Sequence, residues 1–362
     1  MKTHALPDLR RPADFTRLEK ALRREKPSKS LPQYDLFSNI IDTVLTAYGR
    51  KPLDCQSLSG PARHEAETRN KIEYMSLLGY DYVDLWQDRL GFFFTNPPKP
   101  SAETTEGSRH YITSHDFCFS DRAGLKSYPW PDPEKGDYGM LDRVATILPP
   151  GMKIILSTRG ILETTMDLLG HENICYLLYD DPDLVGEVFR AVGERYLRFF
   201  ELGASHPAIG AVTYCDDMGF KTQTLLPPDV YRQHLFPWHK RINEVAHRAG
   251  KPTILHACGN LDKVMEDIIA CGWDAKQSFE DNIEPIWEAK RKYGDRIALL
   301  GGFDVDKLCR MTEKEIRAHT RMLMERCGRD GGFALGTGNS VPNYIPVTNF
   351  LAMLDEGRRC NK

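Results

Sequence analysis

The strongest constraint on the fold is a regular alternation of short apolar runs and amphipathic helical patterns, which is most even from about residue 150 onward. Seven runs have the composition of buried strands, and they lie at 79–86, 152–158, 208–217, 251–259, 273–281, 295–304 and 331–340. Such runs, separated by helices, are typical of parallel βαβ units. Several helical patterns end in glycine just before the next strand, as expected for a left-handed helix stop.

This alternation predicts an α/β protein with a (β/α)8 TIM barrel. The dinucleotide-binding form of the open sheet is less favoured, because no G-x-G-x-x-G motif follows an early strand. An eighth strand is expected near 108–117 or elsewhere in the chain. In such barrels the chemistry lies at the C-terminal ends of the strands.

The domain organisation predicted from the sequence has two parts. Residues 1–75 carry helical patterns and are expected to form a segment packed on the barrel. Residues 76–362 would form the barrel itself, with an irregular insertion at about 95–150 that is rich in proline, glycine and aromatic residues. A length of 362 residues suits a barrel with additional segments.

Composition excludes several classes of function. The net charge is −3 without a basic patch, which argues against nucleic acid binding. No stretch of about 18 apolar residues is present, so we expect no membrane span. The N-terminus has no apolar signal core, and the nine cysteines lack the spacing of a disulfide framework. We therefore expect a cytoplasmic protein with reduced thiols.

The pattern "TILHACGN" at 253–260 ends a strand with an imidazole and a thiol two residues apart. Residues two apart on a strand point to the same side, so His256 and Cys258 are expected to converge. Glu280 lies at the end of the next strand. Imidazole, thiolate and carboxylate are the usual zinc ligands, so His256, Cys258 and Glu280 form the predicted metal site. The alternative is a hydrogen-bonded histidine beside a core thiol.

Other strand ends carry further candidate site residues. Adjacent residues Asp216 and Asp217 point to opposite sides of a strand, so one is expected to contact substrate or transfer a proton while the other caps the following turn or pairs with Arg or Lys. The alternative is that both orient loops. Both are kept as catalytic candidates. The loop 336–340 is either an anion cradle or an ordinary tight turn. His115 and Tyr344 are further candidates for lining the barrel mouth. The predicted substrate-binding residues are Arg159, Asp304, Asn339 and Ser340.

The region 151–354 resembles the uroporphyrinogen decarboxylase-like superfamily, and most closely its corrinoid-dependent methyltransferase branch. The resemblance rests on "DDMG" at 216–219, "HACGN" at 256–260 and "GTGNSVP" at 336–342, and on the opening helix "RPADFTRLEKALRREKP". The family fold is a (β/α)8 barrel, in agreement with the pattern. The R-Q-A-G-R-Y segment of the porphyrin decarboxylases is absent from the sequence, which argues against porphyrin decarboxylation.

The resemblance also implies a metal. The methyltransferases of this superfamily bind zinc through an H-x-C pair and a later cysteine, and the distantly related methionine synthases add a glutamate, which Glu280 matches. Gly338 stands near the position of the later cysteine. The resemblance therefore leaves solvent, substrate, Asp217 or Cys215 to complete the ligand set. The sequence has no D-x-H-x-x-G corrinoid-binding motif, so methylcobalamin would be carried by a separate protein.

We therefore expect a zinc-dependent methyltransferase of a corrinoid system. It would move a methyl group between a small methylated substrate or acceptor and the cobalt of a separate corrinoid protein. One alternative is a metal-free decarboxylase or lyase of the same superfamily that acts on a small carboxylated substrate. Another is a non-catalytic ligand-binding barrel, which is disfavoured because unsatisfied polar strand ends cost stability. A homo-oligomer is compatible with the sequence.

Overall fold

The computed structural model describes residues 6–27, 30–95, 101–104, 107–110 and 117–360. Its strands are β1 Tyr82–Trp86, β2 Ser101–Thr104, β3 Gly107–His110, β4 Lys153–Arg159, β5 Ile209–Cys215, β6 Thr253–His256, β7 Ala275–Gln277, β8 Ala298–Phe303 and β9 Phe333–Thr337. Its helices are α1 Thr16–Leu22, α2 Ile41–Ala47, α3 Gly60–Leu78, α4 Arg122–Ser127, α5 Gly139–Ile147, α6 Ile161–Leu169, α7 His171–Asp180, α8 Pro182–Gly203, α9 Pro228–Val230, α10 Phe236–Arg248, α11 Met265–Ala270, α12 Ile286–Tyr293, α13 Val305–Arg310, α14 Glu313–Cys327 and α15 Val347–Arg359.

Seven of these strands form one curved parallel sheet. Their order is β1, β4, β5, β6, β7, β8 and β9, so strands that follow one another along the chain also pair in space. The strands are buried along almost their whole length, as expected when helices cover a parallel sheet. The predicted TIM-barrel fold is confirmed.

An extended segment at 32–39 lies beside β9 at one edge of this sheet. It makes isolated parallel bridges to β9 and the loop after it, at Gln33 and Ser38. The ring of Tyr34 stacks on Tyr82 of β1, with the ring centroids 5.6 Å apart. The segment therefore contacts both edge strands and occupies the place of an eighth strand.

The eighth strand expected near 108–117 does not take that place in the described part of the chain. Residues 107–110 form β3, which pairs antiparallel with β2 in a separate two-stranded sheet. Residues 111–116, including His115, lie outside the described residues. The insertion at about 95–150 also contains helices α4 and α5.

The N-terminal helices contact the barrel through charged side chains as well as apolar ones. Asp81, which directly precedes β1, accepts hydrogen bonds from Arg11 and from the backbone of Asp14. Leu18 and Leu22 of α1 are buried in the same core as the barrel strands. No helix in the described residues is both long and apolar enough to cross a membrane.

Glycine ends only some of the helices in the predicted way. Gly250 and Gly272 have positive φ angles of 73° and 89° and turn the chain toward β6 and β7. Gly294 and Gly328 keep right-handed φ angles of −66° and −89°, so their helices end without a left-handed residue.

Candidate metal centre and adjoining cavity

Sheet register brings the predicted site residues to one level. Arg159 on β4 pairs with Cys215 on β5, Cys215 with His256 on β6, and His256 with Gln277 on β7. All four stand at the carboxyl end of their strands. The loops that follow these strands therefore meet at the same mouth of the barrel, where TIM-barrel chemistry is found.

Three side chains converge at this mouth. Ligand atoms of Asp217, His256 and Cys258 all lie within 4.8 Å of one another. His256 Nε2 is 3.5 Å from Cys258 Sγ and 3.7 Å from Asp217 Oδ1. A tetrahedral zinc ion with bonds of about 2.0 Å to nitrogen and about 2.3 Å to sulfur would place Nε2 and Sγ about 3.5 Å apart. The three residues therefore fit a zinc-sized cation.

A buried glutamine sets the orientation of His256. The Nδ1 atom of His256 lies 2.8 Å from Gln277 Oε1. The side-chain amide of Gln277 donates to the carbonyl oxygens of Thr337 and Asn339, which fixes its oxygen toward the histidine. Nδ1 therefore carries the proton and Nε2 offers its lone pair, as in metal sites with an outer hydrogen bond to the ligand. Burial lowers the pKa of His256, which also favours the neutral ring.

Two glycines bring Asp217 to the cysteine. Gly259 has a φ of +86°, and a Cβ there would lie 2.1 Å from the carbonyl carbon of Gly219. This close approach lets the Gly219 amide donate to the carbonyl of Cys258 at 3.0 Å. Asp217 Oδ1 in turn accepts a hydrogen bond from the backbone amide of Cys258. The glycine after Cys258 is thus required by the packing of two loops.

The sulfur of Cys258 lies among polar groups. Asn339 Nδ2 donates to Sγ at 3.3 Å, and Ser278 Oγ lies 3.5 Å away. Burial raises the pKa of the Cys258 thiol well above its usual range, and the Asp217 carboxylate raises it further. Without a cation the thiol is therefore protonated at neutral pH, and a bound metal would have to displace that proton.

Lys276 is a buried cation beside the site. Its ammonium donates to the carbonyl oxygens of Ala257, which precedes Cys258 in the chain, and of Ser278, whose hydroxyl lies near the Cys258 sulfur. Burial lowers the pKa of Lys276 to about 8, while the acidic groups nearby oppose that effect. Its positive charge partly offsets the anionic groups at the mouth.

Glu280 is not part of the compact group. In the described residues, the cluster that could hold a metal contains Asp217 in the third position. Glu280 lines a small neighbouring cavity with Lys276 and Glu284. Burial raises the pKa of Glu280, and so do the charges of Asp304 and Asp217. Asp217, which hydrogen-bonds to the backbone of Cys258, joins the pair instead of the carboxylate that follows the next strand.

Asp216 is buried against the start of α6. Its carboxylate accepts hydrogen bonds from the backbone amides of Leu162 and Glu163 in the first turn of α6, and from the Tyr214 hydroxyl. It has no exposed surface. A Cβ on Gly160 would lie 2.1 Å from this carboxylate, so the chain needs glycine there. Asp216 therefore caps a helix, and its catalytic role stays a prediction.

The predicted substrate residues occupy three different environments. Asp304 caps α13 and accepts the amide of Asp281. The Ser340 amide donates to the side chain of Asn339, which in turn donates to Cys258. The amides of Thr337 and Gly338 are used by Asp35 and Phe303, so most of the 336–340 loop is not available as an anion cradle.

Gly338 has no room for the later cysteine of the methyltransferases. A Cβ at this position would lie 2.2 Å from the carbonyl oxygen of Phe279. Cys215 is buried, and burial raises the pKa of its thiol well above the usual range. In the described residues it is not part of the group that could hold a metal.

Arg159 belongs to a separate cavity of about 430 Å³ at the same mouth. Its Nη1 donates to buried Asp167 at 2.6 Å, and its Nη2 lies 3.9 Å from Glu163. Burial raises the pKa of Glu163. The charge of Arg159 lowers this pKa, whereas the charges of Asp217 and Asp216 raise it further. Glu163 is thus within electrostatic influence of both Arg159 and Asp217.

Four residues at or near the candidate site were not predicted from the sequence, or were predicted to have another role. Gln277, Lys276 and Glu163 were not singled out, because two lie within strands and the third in a helix. Asp217 was expected to act on substrate or as a fourth ligand. The position of Glu163, four residues after Arg159 at a helix start, is the one sequence signal that favours a pair.

Fold and site together define a TIM-barrel protein with a candidate metal centre at the carboxyl ends of its strands. The chain belongs to the uroporphyrinogen decarboxylase (URO-D) family, whose model matches residues 121–360. Methylcobamide:CoM methyltransferase MtaA of Methanosarcina barkeri is 27% identical to it over 132 residues, which are 36% of this chain and 36% of that protein. The aligned part thus spans about a third of that relative.

A solved structure of a methyltransferase from Methanosarcina mazei superposes on the chain with a TM-score of 0.70. It covers 96% of this chain and 99% of that chain at 17% identity, which establishes the shared fold. The resemblance to this superfamily and its methyltransferase branch is confirmed.

Proposed function

We propose that this protein is a zinc-dependent methyltransferase of a corrinoid system. It would move a methyl group between a small methylated compound, or an acceptor, and the cobalt of a separate corrinoid protein. The observation that carries the proposal is the convergence of Asp217, His256 and Cys258 within 4.8 Å at the barrel mouth. The MtaA relative acts on methylcobamide and CoM by its name, and the same class of reaction is proposed here.

Asp217, His256 and Cys258 would hold the metal, and Glu280 is the predicted ligand left outside this group. A bound zinc would supply Lewis acidity that polarises the heteroatom of a methyl donor or lowers the pKa of a thiol acceptor. The side chain of Asp217 is 41% exposed, so the set is open toward the mouth, as a substrate position requires.

The ligand set favours a donor with a hard heteroatom. Thiolate ligands make zinc a milder Lewis acid, and the second thiolate of the related methyltransferases has no place at Gly338. An oxygen ligand from Asp217 gives a harder set. We therefore infer that the heteroatom bound to the transferred methyl is oxygen rather than sulfur.

Residues of this chain would stabilise the negative charge that develops on the donor oxygen and would supply its proton. Transfer to a reduced corrinoid breaks the methyl–oxygen bond, and the cobalt electron pair forms the new bond to carbon. The oxygen keeps the old bonding pair and needs a proton. Glu163 would donate it, because burial raises the pKa of Glu163 and keeps its carboxyl protonated. Lys276 would stabilise the negative charge nearby.

The test is methyl transfer with free corrinoids as probes, followed by absorbance. We expect methylation of cob(I)alamin by a methyl ether, because the proposed ligand set favours oxygen. His256→Ala and Cys258→Ala should lose bound zinc and slow transfer at least about 100-fold, because a metal supplies several kcal/mol of stabilisation. The control is Cys175→Ser, an exposed cysteine of α7.

Full activity in both variants, or a folded protein that never retains zinc, would remove the proposal. Release of carbon dioxide from a carboxylated substrate by metal-free protein would point to the decarboxylase alternative instead.

A further inference from the structure

The cavity beside Arg159 has the size and lining of a small-molecule site. Its volume of about 430 Å³ lies within the range of ligand pockets. It opens at the ends of β1 and β4, between those strands and α3. None of the proposed metal ligands lines it.

Five aromatic residues are among those that line this cavity. Phe37 meets Trp86 edge to face with ring centroids 6.2 Å apart. Phe94, also in the lining, packs on the buried ring of Tyr196 at 5.3 Å. Phe93 adds a ring that is 58% exposed. Such surfaces favour a flat ring, which gains by stacking or edge contacts.

The carboxylates of the lining lie beside cations, whereas Arg159 keeps unused donors. Asp84 is paired with Lys71 at 2.8 Å, and Glu67 with Arg89. Asp88, the third carboxylate of the lining, lies 3.6 Å from the same Arg89. Arg159 has spare donors: in the described part of the chain its Nε and Nη2 make no hydrogen bond, while Nη1 is held by Asp167.

The cavity lies within reach of the candidate metal centre. Arg159 pairs with Cys215, and Cys215 with His256. Neighbouring strands are about 4.8 Å apart, so Arg159 and His256 stand about 10 Å from each other across the mouth. A ring held at Arg159 can extend from there toward the proposed metal ligands.

We propose that this cavity binds the methyl donor, and that the donor is an aromatic acid whose ring lies on the aromatic side chains and whose carboxylate lies on Arg159. With the oxygen preference of the metal ligands, the donor is an aromatic methyl ether. The role of the ligand as methyl donor rests on the proposed function. The binding of an aromatic acid in the cavity does not depend on that function.

Calorimetry on metal-free and on zinc-loaded protein tests binding of the ring and carboxylate separately from methyl transfer. The probe is 4-methoxybenzoate, compared with methoxybenzene, which lacks the anion, and cyclohexanecarboxylate, which lacks the ring. We expect the aromatic acid to bind in both states of the protein, and each comparison compound to bind more weakly by about tenfold or more.

Two changes in the cavity test the residues. Arg159→Gln combined with Asp167→Asn removes the guanidinium without leaving a buried unpaired carboxylate, and should weaken the aromatic acid about 10- to 100-fold while leaving methoxybenzene unchanged. Phe93→Ala should weaken it about 2- to 10-fold. Phe220→Ala is the matched control, because Phe220 is 65% exposed and does not line the cavity.

Equal binding of cyclohexanecarboxylate, tighter binding of glycine betaine, or no effect of the double variant would overturn the inference. Binding of the aromatic acid without any methyl transfer would keep the cavity assignment and remove the proposed function. Methyl transfer from other compounds, with no binding of aromatic acids, would keep the proposed function and remove the cavity assignment.

Discussion

Gln277 determines what His256 can do. An imidazole at a strand end can donate, accept or bind a metal, and its neighbours decide among these roles. Here the buried glutamine accepts from Nδ1 and is itself held by two backbone carbonyls. The lone pair of Nε2 is thereby directed at Cys258 and Asp217.

Replacing this glutamine should weaken metal binding without unfolding the barrel. Gln277→Leu removes the acceptor for Nδ1 and lets the ring adopt the other tautomer, so we expect zinc affinity to fall about 10- to 100-fold. Competition with a chromophoric chelator measures it. Gln33→Leu is the matched control, a buried glutamine that contacts Leu354 and Arg358. Equal zinc affinity in the two variants would show that Gln277 does not orient the ligand.

The sequence predicts the residues whose spacing alone places them together. His256 and Cys258 converge because they are two apart at a strand end. For the third ligand, register along neighbouring strands favours Glu280, whereas the contact between the loops at Gly219 and Gly259 places Asp217 beside the pair. Loop packing of this kind leaves no periodic signal in a sequence.

At the scale of elements, the segment 32–39 completes the barrel by an unusual route. Buried Asp35 accepts hydrogen bonds from the backbone and hydroxyl of Thr337 on β9, and from the hydroxyl of Tyr80 just before β1. This carboxylate adds to four backbone hydrogen bonds, which join residues 32–39 to β9 and to the loop after it. The segment contains Pro32, Gln33 and Asp35 and so lacks the apolar run of the other strands, which is why the sequence pattern did not single it out.

This contact makes part of the stability depend on pH. Burial raises the pKa of Asp35 from 3.8 to about 6, so the folded protein binds this proton more tightly than the unfolded chain. The contribution to the free energy of unfolding therefore rises as pH falls from 8 to 5, by roughly 1 kcal/mol.

Asp35→Asn keeps the shape and does not titrate. We expect the melting temperature of the natural protein, relative to this variant, to rise by roughly 1–2 °C between pH 8 and pH 5. A difference that stays constant, or falls over this range, would contradict a buried titrating carboxylate at the barrel seam.

At the scale of the whole molecule, the barrel brings the candidate metal centre and the cavity beside Arg159 to the same mouth, although their residues are distant in sequence. The alternation of strands and helices was sufficient to predict the fold, because burial on both faces of a parallel sheet constrains every strand. The metal ligands and the aromatic cavity come from different pairs of strands, and their shared position follows from parallel topology. The proposed chemistry needs both: one to polarise an oxygen and one to hold the ring that carries it.

The most direct test of this account is zinc X-ray absorption on the purified protein. Ligation by Asp217, His256 and Cys258 predicts about one zinc per chain with a single sulfur at about 2.3 Å and nitrogen or oxygen ligands at about 2.0–2.2 Å. The sulfur signal should disappear in Cys258→Ser and persist in Cys175→Ser. A spectrum with two sulfur ligands, with none, or with sulfur that survives Cys258→Ser would contradict the site.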